Sequence, residues 1–467
     1  MNLKLEPRSV SGLNDYERDA LTRLIKVYNA HTIANATKEK YYEGNISLSE
    51  VNLGIALPEG MRKLEIGCSW GSKTVDVLAG LSMFDGFVGL NGEPVAELDE
   101  IISANRLLAE YDKACIEELK FGTVLATLSK DNKCGCKIRF HSLLSAAAIW
   151  SGEKGRIECG FAIIDTAPDN VQGDSWSPSL INLYTDEAIT VLRRINNRWT
   201  AERKKHKMGR PLMEPLIWNA TAQKPFGRSR IKKPIRRLIQ GFVRTVVNAT
   251  IALEFSTAPQ KSMLGVSEEM FKKLTTEKFK QYVGSIIVAT SNPETGENPE
   301  FKQLPQGHIT PHVDMMRILA TQFSAATGLT VTDTGIVNDA NPTSSEAIIA
   351  QSRTLISMAE KLNAGNGEAL RVIAQMAIAI KNDTTIDGLP QEQADVVAHF
   401  KNPAMPSVAA TADAAVKIAG ARPEFAQTDE FFAMLGFDQA TIRRIKAQEQ
   451  RSRGLALLAD LENTEST

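Results

Sequence analysis

The spacing of apolar residues changes twice along this chain, and that double change constrains its fold more than any other feature. Before about residue 120 and after Lys224 the spacing is typical of helices, whereas residues 121–222 form short strand-like runs separated by Gly, Asp and Asn turns. A chain of 467 residues is also too long for one ordinary hydrophobic core. The sequence therefore predicts an α+β protein in which a mainly antiparallel sheet separates two helical parts.

Three helices are predicted in the N-terminal part, over residues 13–44, 72–84 and 94–119. The first should begin at a capping residue, Asn14 or Asp15, and present one apolar face. That face consists of Leu21, Leu24, Ile25, Tyr28 and Ile33. The sheet is expected from strand-like runs at residues 121–129, 137–144, 155–165, 179–185, 187–195, 198–203 and 215–219.

A long one-sided helix is predicted over residues 228–255, followed by a small α/β insertion over 256–309 and a second helix over 310–327. Proline near the start of the second helix and Gly328 after it are typical helix boundaries. The apolar face of the long helix consists of Ile231, Ile235, Leu238, Ile239, Phe242, Val246 and Leu253. That of the second helix consists of Val313, Met316, Leu319 and Phe323.

A polar loop, 328–343, leads to a capping box at Thr343–Glu346 and a very long helix that ends near Lys381. Two glycines in the segment 363–367 predict a break in this helix. A short strand, VVAHF, and helices at about 408–419, 428–435 and 438–460 should complete the chain.

Charge is balanced overall, with 54 Lys and Arg against 55 Asp and Glu, so tight, salt-sensitive DNA binding is not expected. Two segments are locally basic. Residues 193–210 are either a nucleic-acid surface or a solvated face of the sheet. The start of the long helix carries cations where a helix prefers acids, which indicates an anionic partner or an acidic neighbouring subunit. These candidates are Arg228, Arg230, Lys232, Lys233, Arg236 and Arg237.

The sequence lacks the common motifs of enzymes and metal sites. It contains no phosphate-binding loop, Rossmann fingerprint, nucleophile elbow or zinc helix, so we predict neither an enzyme nor any catalytic, cofactor or metal residue. His308 and His312 are spaced for one helix face, but we expect His308 to precede the helix. A zinc site from Cys134, Cys136 and His141 would lack a fourth ligand. Both cysteines are instead expected to face solvent at a hairpin tip.

The cysteines, the apolar segments and the first residues indicate where the protein is made and kept. The five cysteines are scattered and odd in number, which fits reduced thiols. No apolar segment approaches the roughly 20 residues that a membrane-spanning helix needs. Since the first residues also contain no signal-peptide core, we expect a protein made and kept in a cytosol, without a membrane partner.

The order of these elements resembles the portal proteins of long-tailed double-stranded DNA bacteriophages. The resemblance rests on three segments: PFGRSRIKKPIRRLIQGFVRTVVNATIALEFSTAPQKSMLG, FKQLPQGHITPHVDMMRILATQFSAATGL and GIVNDANPTSSEAIIAQSRTLISMAEKLN. A fourth segment, PAMPSVAATADAAVKI, is similar near the C-terminus. By motif the resemblance covers about half of the chain, and by architecture most of it.

The resemblance implies a portal-type subunit that assembles into a ring, commonly of twelve copies, around an axial channel. Its parts would be a mixed α/β wing, a two-helix stem, a small α/β clip, a tunnel loop, a long broken wing helix with a strand, and a helical crown. In this order they correspond to residues 1–227, 228–255 with 310–327, 256–309, 328–343, 344–404 and 405–467. Another phage head or connector protein, or a DNA-packaging enzyme subunit, is the alternative.

The resemblance also implies partners and a place in the virion. The ring would occupy one capsid vertex, contact the major capsid protein, bind the terminase and later the head-tail adaptor, and conduct double-stranded DNA during packaging and ejection. The chain would be in the host cytoplasm during assembly. The polar loop contains no Lys or Arg, so it should let DNA slide with low affinity. Its channel candidates are Thr330, Thr332, Asp333, Thr334, Asn338, Asp339 and Asn341.

Overall fold

The computed structural model of the chain begins with helices that match the prediction only in part. It describes, apart from a few isolated positions, residues 3–46, 66–89, 95–168, 176–196, 198–257, 261–264, 300–303, 308–336, 345–404, 408–437 and 444–452. Helix α1 spans Asp15–Tyr42 and has the predicted cap, since Asn14 and Glu17 form a capping box. Its predicted apolar face stops at Tyr28, because Ile33 is 79% exposed.

The next two predicted helices need correction. Helix α2 spans Trp70–Ala79; residues 80–83 of its predicted range form a turn and a short connection, and Phe84 begins strand β1, Phe84–Gly89. The helix predicted over 94–119 is two helices, α3 Ala96–Asn105 and α4 Leu107–Phe121. They separate at Arg106, whose left-handed backbone (φ 51°) cannot continue a right-handed helix.

The predicted sheet is two sheets, both antiparallel. Their strands are β2 Thr123–Asp131, β3 Gly135–His141, β4 Ala146–Ser151, β5 Arg156–Pro168, β6 Trp176–Tyr184, β7 Ala188–Ile195, β8 Arg198–Lys205 and β9 Met213–Ile217. The three-stranded sheet has the order β3-β2-β9 and the other the order β4-β5-β6-β7-β8. The sequence missed β4 because its residues, AAAIWS, do not alternate apolar and polar side chains.

The two helices predicted over 228–255 and 310–327 are present as α5, Lys233–Thr257, and α6, Thr310–Thr327, so that the first begins later than predicted. Between them, strands β10 Lys261–Leu264 and β11 Glu300–Gln303 form an antiparallel pair. Residues 265–295 of the predicted insertion, which include its predicted short helix, lie outside the described residues.

Helix α7 spans Ser345–Lys381 without the break predicted at 363–367, so that prediction is wrong. Asn363 accepts a hydrogen bond from Ser82, and Asn366 donates to Glu118, so buried contacts hold this segment helical despite its glycines. A short helix, α8 Gln391–Ala394, and strand β12 Val396–Phe400 follow, and β12 pairs with β1.

The C-terminal part contains helices α9, Val408–Ala421, and α10, Asp429–Met434. Residues 444–452 are also helical. The predicted helices over 408–419 and 428–435 are therefore confirmed, and part of the third lies within the described residues.

Two apolar clusters hold the described residues together. The smaller one packs α1 against one face of the five-stranded sheet, through residues such as Leu21, Leu24 and Phe161. The larger one is continuous from α2, α4 and the three-stranded sheet through α7 to α5 and α6. Helix α7 is buried along Leu370–Ile378 and contacts both β2 and β3. Helices α5 and α6 therefore share a core with the rest of the described chain.

Candidate functional site

Helices α5 and α6 pack along a row of side chains spaced by four residues. Ile235, Ile239, Val243 and Val247 of α5 are buried, in line with Ile231 just before the helix. The first residues of the predicted apolar face are therefore correct, but the buried row then continues through Val243 and Val247. Leu253, predicted to belong to it, is 46% exposed.

Helix α6 has the predicted boundaries, with proline at its start and Gly328 in the left-handed conformation after its end. Leu319 and Phe323 are buried, while Val313 and Met316 are half-buried. A Cβ atom on Gly241 of α5 would lie 3.3 Å from a methyl group of Leu319, so the missing side chain permits close packing. The sequence thus predicted the helix pair, but not the close contact at Gly241.

Trp70 of α2 connects helices α5 and α6 with the turn that follows α6. Its ring centroid lies 4.2 Å from that of Phe242 and 4.5 Å from that of Phe323. Its indole N–H donates to the carbonyl oxygen of Thr334 at 3.1 Å. Trp70 is 2% exposed, and the hydrogen bond satisfies a donor that would otherwise be buried without a partner.

The first half of the predicted channel loop is an ordered turn. Ser324 donates to the carbonyl oxygen of Leu329 at 2.6 Å, and Leu329 is buried. The Asp333 carboxylate accepts from both the backbone N–H and the hydroxyl of Thr330, each at 2.8 Å. A 3₁₀ turn, Thr332–Thr334, then presents the Thr334 carbonyl to Trp70.

The channel candidates are therefore not equivalent. Thr332 is exposed, Thr330 and Asp333 bond mainly to each other, and Thr334 is 9% exposed. The remaining candidates lie outside the described residues, and they are Asn338, Asp339 and Asn341.

Arg230 requires a correction, because it is buried and does not lie at a surface. Its guanidinium donates to the carbonyl oxygens of Thr74 in α2 at 2.6 Å and of Thr327, the last residue of α6, at 2.7 Å. It also lies 3.4 Å from the sulfur of Met358 in α7. Burial lowers the pKa of Arg230 to about 10. Arg230 thus joins three helices, and the C-terminal carbonyl of α6 favours a cation there.

The other basic candidates remain accessible, although α5 begins only at Lys233. Arg228 and Lys232 precede the helix and are exposed, as are Lys233 and Arg237 within it. Arg236 is half-buried. These side chains therefore surround the start of α5.

The basic run 193–210 is partly neutralised within the chain. Arg203 bonds to the buried carboxylate of Glu17, and Arg210 pairs with Glu214. Lys207 lies 3.8 Å from Asp383. These ion pairs favour the interpretation of a charged sheet face.

The zinc hypothesis finds no support among the described residues, where no three His, Cys, Asp or Glu side chains are grouped as metal ligands. Cys134 lies at the predicted hairpin tip. Cys136, predicted to face solvent, is instead buried in β3, and burial raises its pKa to about 12. His141 is buried with its Nε2 2.9 Å from the Thr127 hydroxyl. His308 precedes α6, as predicted.

A buried polar group between α4 and α7 was missed from the sequence. Glu118 is fully buried, and one carboxyl oxygen accepts from the Asn366 amide at 2.7 Å. That amide also donates to Tyr111, whose hydroxyl lies 2.8 Å from that of Ser82. Burial raises the pKa of Glu118 to about 8. The signal was available, because Glu118 lies seven residues after Tyr111, on the same helix face.

Comparison with known proteins gives matches over nearly the whole chain. A family model described as "Phage portal protein, SPP1 Gp6-like" matches residues 14–454. The portal protein of Mycobacterium phage L5 is 22% identical over 471 aligned positions, which cover 98% of this chain and 94% of that protein. The portal protein of Mycobacterium phage D29 is 24% identical over 267 residues, which are 56% of this chain and about half (53%) of that protein.

Solved structures that contain a similar chain have lower sequence identity to this one. One is the virion of a native gene transfer agent particle, with a TM-score of 0.43 and 11% identity, covering 79% of this chain and 89% of that chain. Another is the neck of an empty gene transfer agent particle computed with C6 symmetry, with a TM-score of 0.43 and 12% identity, covering 85% and 99%. Within the described ranges, no helix has both the length and the apolar character needed to cross a bilayer.

Proposed function

The chain belongs to the SPP1 Gp6-like family of phage portal proteins, and on this premise we propose that its copies close into the ring at one capsid vertex through which double-stranded DNA enters and leaves. The family match over residues 14–454 carries the proposal. Portal proteins are structural components of the virion, and we propose the same for this chain, with the host cytoplasm as its place during assembly.

Exposed apolar side chains on the stem helices support assembly. Met315 and Ile318 of α6 are 44% and 52% exposed, three residues apart on one helix face, and Leu253 of α5 is also exposed. In a ring every copy has a neighbour on both sides, so such faces find partners without an open end.

Electron microscopy of the purified chain tests this function directly. We expect closed rings with an axial hole, and light scattering should show particles many times larger than the 51.1 kDa chain. A chain that stays monomeric at micromolar concentration, with or without scaffold and capsid protein, would overturn the proposal.

We propose the finer assignments on the same premise. Twelve copies would form the ring. Residues 1–227, together with the unbroken helix and strand of 344–404, would form the wing, in contact with the major capsid protein. The segment 256–309 would be the clip that binds the terminase and then the head-tail adaptor, and 405–467 the crown. Pull-down of each partner by rings with and without the segment 256–309 tests the clip assignment.

The polar loop 328–343 is proposed to face the passing DNA with low affinity, because it has no cation to hold phosphates. Residues 328–336 should be left intact in a test, since they include the Trp70 contact. Replacing 337–343 by a shorter Gly-Ser linker should leave rings intact and lower DNA packaging. Unchanged packaging would contradict a channel role, and lost rings would indicate a role in subunit packing.

No catalytic activity is proposed for the chain. We expect the purified rings to hydrolyse neither ATP nor DNA. Hydrolysis that disappears when one carboxylate of this chain is replaced would contradict the proposal.

A further inference from the structure

A basic pocket lies between α1 and the start of α5. Its volume is about 360 Å³, and it is lined by Thr37, Tyr41, Lys233, Arg236, Arg237 and Gln240. Three of these six side chains are cationic and none is acidic. The first turn of α5 also contains no acid, although the positive end of the helix dipole adds to the charge of the pocket.

The positive charge of this pocket is not compensated within the described part of the chain. Arg236 Nε is buried and has no hydrogen-bond acceptor. The Arg236 guanidinium lies 5.8 Å from the centre of the Tyr41 ring. Burial, and next the charge of Arg236, lower the pKa of neighbouring Lys38 to about 8. Because a buried N–H normally has an acceptor, the pocket is built for an anion that the chain itself does not supply.

A cluster with an excess of acidic side chains surrounds Tyr42, which follows Tyr41 in α1. The Tyr42 hydroxyl donates to Asp76 at 2.9 Å, and Glu43 and Glu117 are further acids near it. Lys120 pairs with Glu117. Among the described residues no cation lies within ion-pair distance of Asp76 or Glu43. Burial raises the pKa of Asp76, although the Tyr42 hydrogen bond and the charges of Lys120 and Lys73 lower it in part.

The pocket and the cluster cannot neutralise each other within one chain. Consecutive residues of a helix point about 100° apart, so Tyr41 and Tyr42 mark different faces of α1. A head-to-tail ring brings different faces of consecutive copies together. We propose that the basic pocket of one copy receives the acidic cluster around Tyr42 of the next copy.

The basic pocket and the acidic cluster belong to the same sequence and have complementary charges, so a second copy of this chain fits the pocket best. A free phosphate or a DNA phosphate would also suit three cations, but it would leave Asp76 and Glu43 without a cation at ion-pair distance. A second copy supplies an acid to the pocket and a cation to the cluster at the same interface. The inference therefore rests on the proposed ring and assigns part of its subunit interface.

Two charge-reversal variants test this pairing, Arg237→Glu and Glu43→Lys. Both residues are exposed, and both changes suit the helix dipole, since Arg237 lies near the start of α5 and Glu43 at the end of α1. Each variant alone places like charges at every interface. We expect rings to require at least about tenfold more protein in each case, because like charges in an interface are costly.

An equimolar mixture of the two variants should restore assembly at the wild-type concentration. In the mixture the subunits can alternate, so that the new carboxylate of one variant faces the new ammonium of the other at every second interface. The remaining interfaces keep the wild-type pairing of Arg237 with Glu43. Rescue by mixing separate chains cannot arise from contacts inside one chain. The exposed residues Arg198 and Glu153 provide control variants, Arg198→Glu and Glu153→Lys, each of which should assemble like the wild type.

Three results would overturn the pairing. The single variants could assemble normally, or they could fail without rescue in the mixture. Alternatively, inorganic phosphate at constant ionic strength could raise the melting temperature of the wild type but not of Arg237→Glu, with rings unaffected, which would make the pocket an oxyanion site. Wild-type assembly is measured first, because a wild type that forms no rings removes the proposed function as well.

Discussion

Replacing Glu118 by glutamine should remove a pH dependence of stability that the buried carboxyl creates. Glu118 is fully buried, one of its oxygens has no hydrogen-bond partner, and its pKa is raised to about 8 by burial. The folded chain therefore retains a proton that the unfolded chain releases near its ordinary pKa of 4.5. For an acid with a raised pKa, the stabilisation is complete below about pH 4.5 and is lost as the pH rises through 8.

The magnitude follows from the size of the shift. Each pH unit between the two pKa values costs the wild type up to about 1.4 kcal/mol of unfolding free energy. Between pH 5 and 8 the loss is about 3–4 kcal/mol at most. Glutamine can still accept from Asn366, but its N–H₂ group brings two donors to a buried position where the protonated carboxyl brings one. The variant is therefore expected to be less stable at low pH by about 1–3 kcal/mol and to lack this dependence.

Denaturant unfolding of both proteins at equal concentration, between pH 5 and 8, measures the difference. Other buried groups titrate in this range, so the informative quantity is the wild-type value minus the Glu118→Gln value at each pH. Glu110→Gln is the matched control, because Glu110 lies on the same helix but pairs with Lys113 at the surface. A difference between wild type and Glu118→Gln that stays constant across the range would refute the reasoning, since it would place an ionised carboxylate in the fold.

Three further changes have expected outcomes. The pKa of His141 is lowered to about 4 by burial and by Arg139, so the stabilisation by its neutral form is present above pH 6.5 and is lost towards pH 4. The wild type should therefore lose unfolding free energy between pH 7 and 4.5, and in denaturant titrations His141→Gln should make that loss smaller by about 2–3 kcal/mol. Arg230→Met should lower the free energy of unfolding by about 2–4 kcal/mol in thermal unfolding, because two buried carbonyls lose their donor. The control Arg237→Met should change it by less than about 0.5 kcal/mol. Equal effects would contradict the contacts assigned to Arg230. Gly71→Ala should abolish folding or cost more than about 3 kcal/mol, since its Cβ would lie 1.8 Å from the Tyr41 carbonyl oxygen, and a soluble, equally stable variant would show that α1 and α2 cross differently.

The parts of the fold that the sequence predicted well have local causes. The bounds of α6 follow from a proline at its start and Gly328 at its end, and the start of α1 from a capping box. Each of these signals lies within a few residues of the feature that it determines. The spacing of isoleucines likewise predicted the first half of the buried row on α5.

The failed predictions concern residues whose partners lie far along the chain. The glycines at 365 and 367 do favour a break, but Asn366 bonds to Glu118, 248 residues away, and keeps α7 continuous. Arg230 looks like one more surface cation until Thr74 and Thr327 surround it. Trp70 gave no signal at all, because nothing near it in sequence indicates a contact with the turn after α6.

The same long-range bonds explain how the candidate site is held together. Apolar contacts between α5, α6 and α2 tolerate small shifts, since dispersion and burial have no direction. The Arg230 bonds to Thr74 and Thr327 and the Trp70 bond to Thr334 are directional, and each leaves a buried polar group unpaired if α2 moves against the end of α6. Three hydrogen bonds that end on α2 or on Arg230 therefore help to fix the polar turn relative to the rest of the chain, together with the Ser324 bond to Leu329. A short-range pattern could identify the turn as polar, but the long-range bond to Trp70 is needed to show that Thr334 is not free to meet a partner.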